Sequence, residues 1–566
     1  MIIEASSVAD GTQLETDICI VGAGIAGISM ALRLAARGRR ILLLESGHLG
    51  YDEATQALYR GSVADENLHS PPDKYRQRRF GGASAIWGGR CMPFDPLDFD
   101  ARPHVPHSGW PIGYETLEPY YRDANRLAEA GTFEYDAERA FGPEAAPMIR
   151  GFGSEVLRTD GIERFSCPTN FAARYRQRLE LADDIQVLLG ANCTGIGLDA
   201  AGTRVRGVEV ATLAGRRFCV TPRQTVLAMG GLETARLLLA SRDVVPAGIG
   251  NQHDVVGRYY MCHIAGNVGT LAVQGEPDRV RHGYERSPEG IYCRRRLSLT
   301  AAEQSRLGVA NMVARLHFPR ITDPAHGSAV LSGLFMARQL ISYEYGKRLK
   351  DSAPQSLSSR ARHLWNIVSG PLDTSGFLWH WLTRRSLAVR KFPSVILRNR
   401  HNRFSLEVHG EQMPHPDSRV TLGDEVDALG MPRIRIDWRY SPADIESVRN
   451  TLKAFQREFA RSGIASFDYD DRQLEQDLTR FGAYGGHHIG TARMGLDPRS
   501  SVVDANCKVH SVGNLFIAGS AVFPTSSQAN PTLTLLALSL RLADHLAPPA
   551  RADAGIRGAR ARAVAT

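Results

Sequence analysis

Near the C-terminal end, two residue types stand where they could take a proton from a substrate and hold the oxygen left behind. In the stretch 485–534, His487 and His488 precede a small-residue turn, and Asn530 opens an Asn-Pro-Thr that runs into an apolar helix. An imidazole and a carboxamide beside a helix N-terminus suit a general base and an oxyanion donor. The plainer alternative is a buried His with satisfied hydrogen bonds and an Asn serving as an ordinary helix cap. This stretch alone leaves both open.

A second constellation lies at the other end of the chain. Gly22-x-Gly24-x-x-Gly27, with Ala26 between the last two glycines, follows the apolar run Ile18–Val21 directly. Ile25 to Arg37 has helical periodicity, and a second apolar run, Ile41–Leu44, ends on Glu45. In a strand–turn–helix, Gly22 makes the tight turn, Gly24 admits a pyrophosphate to the backbone, and Gly27 lets helix and strand approach. Glu45 lies 18 residues beyond Gly27, where a carboxylate can accept from both hydroxyls of an adenosine ribose. An adenine dinucleotide, NAD or FAD, is expected here. Residues 80–99, FGGASAIWGGRCMPFDPLDF, are glycine-rich and aromatic; Gly81, Gly82, Gly88 and Gly89 bracket Trp87, so backbone can lie flat against a planar ligand. An ordinary buried turn is the alternative.

The elements that would carry these residues fall into two groups. Ile185–Ile196, Val205–Leu213 and Arg217–Val220 read as a β-meander, and Thr225–Ala228 as an apolar strand turning at Gly230-Gly231 into a helix, Glu233–Ala240. A βαβ unit, a meander and a strand returning to the same sheet favour FAD over NAD. From about Val268 to Tyr484 the strand-like runs Met312–His317, Phe404–His409, Ser418–Leu422 and Ile434–Trp438 appear without βαβ units, which predicts a second domain on an antiparallel sheet. The predicted class is therefore α/β (α+β), with interleaved domains. The expected division is an extension at 1–16, FAD-binding parts at 17–100, 161–265 and 481–546, a connecting segment at 101–160, and a substrate domain at 266–480. A disordered tail is expected at 547–566.

Composition bounds the rest. The 566 residues are 43% hydrophobic and 23% charged, as in a globular protein with more than one domain. The net charge of +8 is local: residues 341–403 hold twelve Lys/Arg against three Asp/Glu, and 551–566 hold four Arg against one Asp. The remaining chain is mildly acidic, which argues against nucleic-acid binding by the whole molecule. Within the predicted insertion 332–402, Arg384, Arg385, Arg390 and Lys391 flank an apolar Ser-Leu-Ala-Val, with Trp365, Trp379 and Trp381 nearby. This segment is either a membrane-surface or partner-binding helix pair, or a solvated basic face. The eight cysteines are scattered without a C-x-x-C, so no metal centre or disulfide framework is expected. The N-terminus is polar and acidic, and no apolar run reaches the ~20 residues of a span, so a cytoplasmic location is expected.

Together the motifs resemble the glucose–methanol–choline (GMC) flavoprotein oxidoreductases over nearly the whole chain. The stretches that carry the resemblance are GAGIAG with Glu45, FGGASAIWGG, MGGLETARLLL, VGRYYMCHI, EQMPHPDSRVTL, HHIGTARMG and FIAGSAVFPTSSQANPTLT, in family order. The resemblance implies FAD contacts at Gly22, Gly24, Ala26, Gly27, Glu45, Ser46, Gly82, Ser84, Trp87, Gly88, Gly89, Cys193, Gly230, Gly519, Ser520, Asn530, Pro531 and Thr532. Gly519-Ser520 would lie near the pyrophosphate, Asn530-Pro531-Thr532 near the isoalloxazine, and Cys193 at the adenine. The family's catalytic His stands four residues before the Thr of its Gly-Thr pair, which picks His487 rather than His488, with Asn530 as its second catalytic residue.

An Asn at that position is most similar to the pyranose-oxidase and cellobiose-dehydrogenase side of the family. In pyranose oxidases the residue before the motif Trp is a flavin-bearing His. Here it is Ile86, so non-covalent FAD is implied. The implied reaction is oxidation of an alcohol of a sugar, glycoside or polyol. Electrons would pass to O2 or to a quinone or redox partner. A non-sugar alcohol, or a non-redox use of the fold, is the alternative. A neutral base implies activity rising through a pKa near the ~6.5 of histidine unless the site shifts it. His409, Glu411 and Gln412 could face the substrate or simply build the sheet. Oligomeric state is left open.

Overall fold

The computed structural model describes residues 1–143, 145–319, 321–340, 356–394, 396, 397, 399 and 401–548. Its largest sheet runs in the order Ile2–Glu4, Ile185–Leu189, Ile41–Glu45, Gln13–Val21, Arg217–Leu227, Val205–Ala211, Asn192–Leu198, with Leu515–Ile517 also pairing with Arg217–Leu227. The strands from Ile2–Glu4 through Arg217–Leu227 are parallel, and the last three form the antiparallel meander. Ile18, Cys19, Ile20 and Ile41 through Leu44 are all buried, as strands covered on both faces require. Helix Ile25–Ala35 covers one face together with Thr532–Leu546, which also packs against Tyr114–Leu127.

Two expectations change here. Ile185–Ile196, read as one meander strand, is two: Ile185–Leu189 joins the parallel strands, and only Asn192–Leu198 belongs to the meander. Arg217–Val220 and Thr225–Ala228, read as two strands, form one continuous strand, Arg217–Leu227. Pro222 in its middle suggests a break, since it cannot donate to a ladder. Along that edge the meander partner ends opposite Val220 and Leu515–Ile517 begins opposite Thr225. The missing donor therefore falls in a gap between two partners.

The second sheet is antiparallel, in the order Ala465–Asp468, His263–Val273, Arg403–Glu411, Met312–His317, Leu297–Leu299, Leu157–Arg158. Ala265 pairs with His409 and Val313 with His409 as well, so one face carries His263, His409 and Glu407 in a row. That face meets the FAD-binding part at the loop 525–530, where the Ser527 carbonyl accepts from His263 and the Gln528 carbonyl from His409. Two further sheets, of four and three strands, complete the described residues. The mixed α/β architecture, a Rossmann-like unit with a meander beside an antiparallel sheet, is the one the sequence predicts.

Candidate active site

The dinucleotide cleft forms where strand Gln13–Val21 passes into helix Ile25–Ala35. Gly22 has φ +104°, and a Cβ there would stand 2.7 Å from the Ala228 carbonyl oxygen. At Gly27 a Cβ would stand 1.9 Å from the Gly22 carbonyl oxygen, so the helix can sit this close to the turn only without a side chain. Gly24 caps the helix with no side-chain hydrogen bond, which leaves its first N–H groups aimed at the cleft. The cleft, about 210 Å³, is lined by Gly22, Gly24, Ala26, Glu45, Ser46, Gly82, Cys193, Gly230, Gly519 and Ser520 of the sequence-predicted set. A glycine-walled cradle over a helix N-terminus is the shape and charge a pyrophosphate requires.

Glu45 closes the far side. Its carboxylate oxygens accept from the N–H groups of Ala23, at 2.9 Å, and Gly47, at 2.8 Å. Each oxygen has a second acceptor site for a ribose hydroxyl. Burial raises the Glu45 pKa, opposed by those two N–H groups and by Arg78. Ser46 accepts from Arg78 Nε at 2.6 Å and donates to Asn192. Burial pushes the Cys193 thiol up to about 12, so it meets the cleft as a neutral group.

The remaining predicted contacts lie elsewhere. Gly27 packs against the turn itself. Ser84 Oγ donates to the Gly81 carbonyl and accepts from Phe171 N–H, which ties the glycine loop to the start of the helix Phe171–Glu180. Trp87 Nε1 donates to the Thr169 carbonyl at 2.9 Å. Gly88 and Gly89 lead from it to Arg90, and Ile86 stands 39% exposed beside them. Pro531 and Thr532 open the helix Thr532–Leu546 behind Asn530.

His487 follows Gly485 and Gly486, whose φ values of +73° and +65° turn the chain sharply. Its Nδ1 is buried without a hydrogen-bond partner. Burial, with the Arg90 guanidinium adding to it, holds the His487 pKa down at about 3. His488 turns the opposite way: its Nδ1 meets Tyr260 Oη at 2.6 Å, and the same hydroxyl meets His69 Nε2 at 2.9 Å. Its carbonyl accepts from Ser520 Oγ at 2.8 Å. The adjacent histidines thus serve different surroundings.

Arg90 is the residue the sequence reading passed over. Its Nε and Nη2 both donate to Asn530 Oδ1, at 3.0 and 2.6 Å. Glu163, itself buried, stands 3.6 Å from Arg90 Nη1. The signal was present: Arg90 directly follows Gly88-Gly89 of the loop noted for its glycines and Trp.

His263 is the other addition, and His409, read as facing the substrate or building the sheet, stands beside it. His263 lies in VGRYYMCHI, and its ring centroid is 4.2 Å from that of His409 and 4.9 Å from that of His487. One nitrogen from each of the three lies within 4.8 Å of the others, a spacing a metal ion could bridge. His69, Cys262 and His488 form a similar group, with the Tyr260 hydroxyl bonded to all three. Glu411 instead forms a forked ion pair with Arg102, and Gln412 binds the Cys262 N–H and Trp438 Nε1, so both build the sheet.

Residues 17–319 match the family described as FAD dependent oxidoreductase, and residues 414–539 the one described as GMC oxidoreductase. The chain is 25% identical to 6'''-hydroxyparomomycin C oxidase of Streptomyces lividus, over 94% of this chain and 92% of that protein. It is also 25% identical to paromamine 6'-oxidase of Streptomyces fradiae, over 94% and 91%. Among solved structures, pyridoxine 4-oxidase from Mesorbium loti superposes with a TM-score of 0.54 at 19% identity, over 94% of this chain and 99% of that one. With the first match covering more than half of its length, the chain belongs to the FAD-dependent oxidoreductases, and the segment that holds His487 and Asn530 is the C-terminal domain of a GMC oxidoreductase, acting on CH–OH groups.

Proposed function

We propose that the protein oxidises an alcohol of a sugar, amino sugar or glycoside, with His487 as the base and Asn530 as the donor to the reacting oxygen. The observation that carries this reading is the Arg90 fork on Asn530. Arg has only donors, so it fixes the carboxamide oxygen toward itself and turns the Nδ2–H2 group away as a donor. A donor held in this way is pre-organised for an oxygen that gains negative charge as its proton leaves.

His263 and His409 support the same assignment. Each uses Nδ1 toward a backbone carbonyl, which accepts only, so in the neutral ring the lone pair sits on Nε2. Burial keeps both pKa values well below 6.5, so both rings are neutral. Two neutral rings beside His487, one nitrogen of each within 4.8 Å of one of its own, set no positive charge against a base that must take up a proton. Bound FAD supplies the hydride acceptor. Ile86 offers no nucleophile, so FAD is held by contacts alone, and denaturation should release all of it from the protein. The sugar class rests on relatives named for paromamine, for hydroxyparomomycin C and, over 24% of this chain at 38% identity, for C-glycoside 3-oxidation in Microbacterium trichothecenolyticum.

An anaerobic screen of flavin bleaching with sugars, amino sugars, glycosides and simple alcohols tests the substrate class. Reoxidation by O2 or by a quinone then identifies the acceptor. H487A should lose about 10²–10⁴-fold in turnover while keeping its FAD. Turnover near wild type in that variant would place the base elsewhere.

A further inference from the structure

The helical excursion at 356–394 presents its apolar residues outward. In the helix Leu357–Ser369, Leu357, Leu364, Trp365 and Val368 fall at the spacing of a single helix face. That face points away from the protein: Leu357 is 84% exposed, Trp365 70% and Val368 72%. The inward face holds His363, whose Nδ1 meets Ser332 Oγ at 3.0 Å, and Asn366, whose amide donates to the Pro324 carbonyl. The next helix, Pro371–Trp381, has no buried residue and adds Leu372 at 85% and Trp379 at 69% exposed. An outward apolar face of this extent, with two Trp, marks a contact surface.

Charge selects the partner. Between 356 and 394 stand Arg360, Arg362, Arg384, Arg385, Arg390 and Lys391 against the single acid Asp373. Among the described residues none of the six cations pairs with a carboxylate. Arg385 and Arg390 donate to backbone carbonyls, which leaves their charge uncompensated. A second copy docked through this face would set like charges against each other, whereas an anionic lipid surface complements them. Trp, Leu and Val beside cations is the composition of an interfacial, in-plane helix. No helix of the described residues is long and apolar enough to cross a membrane, which suits lying on a bilayer.

We propose that the helix pair Leu357–Ser369 and Pro371–Trp381 docks the enzyme peripherally on anionic phospholipid, with Trp365 and Trp379 inserted at the headgroup level. The proposal is independent of the substrate and of the roles given to His487 and Asn530.

The test is co-sedimentation of the FAD-loaded protein with phosphatidylcholine vesicles, with and without a third of phosphatidylglycerol. Binding should require the anionic lipid, weaken with added salt, and shift Trp emission to the blue. W365S/W379S should reduce binding about tenfold or more, and R360E/R362E/R384E likewise. Both variants should keep wild-type FAD content and turnover, since none of these residues touches the site. Absence of binding to anionic vesicles at low salt would overturn the proposal. So would a concentration-dependent dimer in sedimentation velocity that W365S/W379S abolishes while vesicles leave it unaffected, because the face would then belong to a second copy.

Discussion

Arg90 orders the proposed site by what it cannot do. It has no acceptor, so Asn530 must offer its oxygen, and the forked contact at 3.0 and 2.6 Å holds the amide plane as well as its direction. R90K keeps a cation but loses the fork, and R90M loses both. Turnover should therefore fall in the order wild type, R90K, R90M, by about tenfold and about a hundredfold, with FAD content unchanged. Equal activity in all three would remove Arg90 from the site. The same guanidinium acts on the rings of His263, His409 and His487, and at His487 it joins burial in holding the ring neutral. A base with a depressed pKa stays unprotonated as pH falls past the ordinary ~6.5 of histidine. The acid limb of kcat/KM should thus lie well below 6.5, rather than near it as the unshifted residue implies. A limb at or above 6.5 would contradict the burial argument. His487 and Asn530 could be proposed from the sequence because the family resemblance points to both along one stretch. Arg90 was not legible, since the loop around it reads as glycine and Trp, and its partner is remote in sequence.

At the scale of elements, the glycines of the first turn were legible because their requirement is steric and local. A Cβ at Gly27 would stand 1.9 Å from the Gly22 carbonyl oxygen, a backbone atom that cannot swing aside as the end of a side chain could. G27V should push the helix Ile25–Ala35 off its strand and empty the dinucleotide cleft. The flavin-to-protein absorbance ratio of the purified variant checks this, with near-stoichiometric flavin as the contrary result. G24A probes the same turn differently: no protein atom lies within 4 Å of a Cβ there, so the helix should stay in place and any loss of flavin would come from the space the pyrophosphate needs. Other elements were legible only in part. Pro222 reads as a strand break, and only the partners on either side of it show why the strand continues. His263 and His409 share a face because Ala265 pairs with His409, a register that periodicity within either strand cannot disclose.

Over the whole molecule, buried ionisable groups, several of them at the join between the two sheets, carry shifts with opposite consequences. His263, His409 and His488 are held well below 6.5, His487 at about 3, His326 at about 4 and His282 also below its ordinary value, in every case chiefly by burial. Once unfolded, each would bind a proton near pH 6.5, while the native protein would not. Their effect is absent above that pH, and stability declines as pH falls from 6.5 toward the native values, by at most about 1.4 kcal/mol per pH unit for each. Asp98 and Asp444 act in the other direction. Burial raises them to about 7 and about 6, so between those values and ~4 the native state holds protons that the unfolded state releases. Six histidines against these two carboxyls and Glu45, which burial also raises, leave the unfolded chain binding more protons across pH 6.5 to 4. The FAD-loaded protein should therefore melt at a lower temperature at pH 5 than at pH 7, more steeply than one histidine allows. H326Q, remote from the proposed base, should flatten that slope without changing turnover at pH 7. A melting temperature that is flat or rises toward pH 5 would show that the buried carboxyls outweigh the histidines.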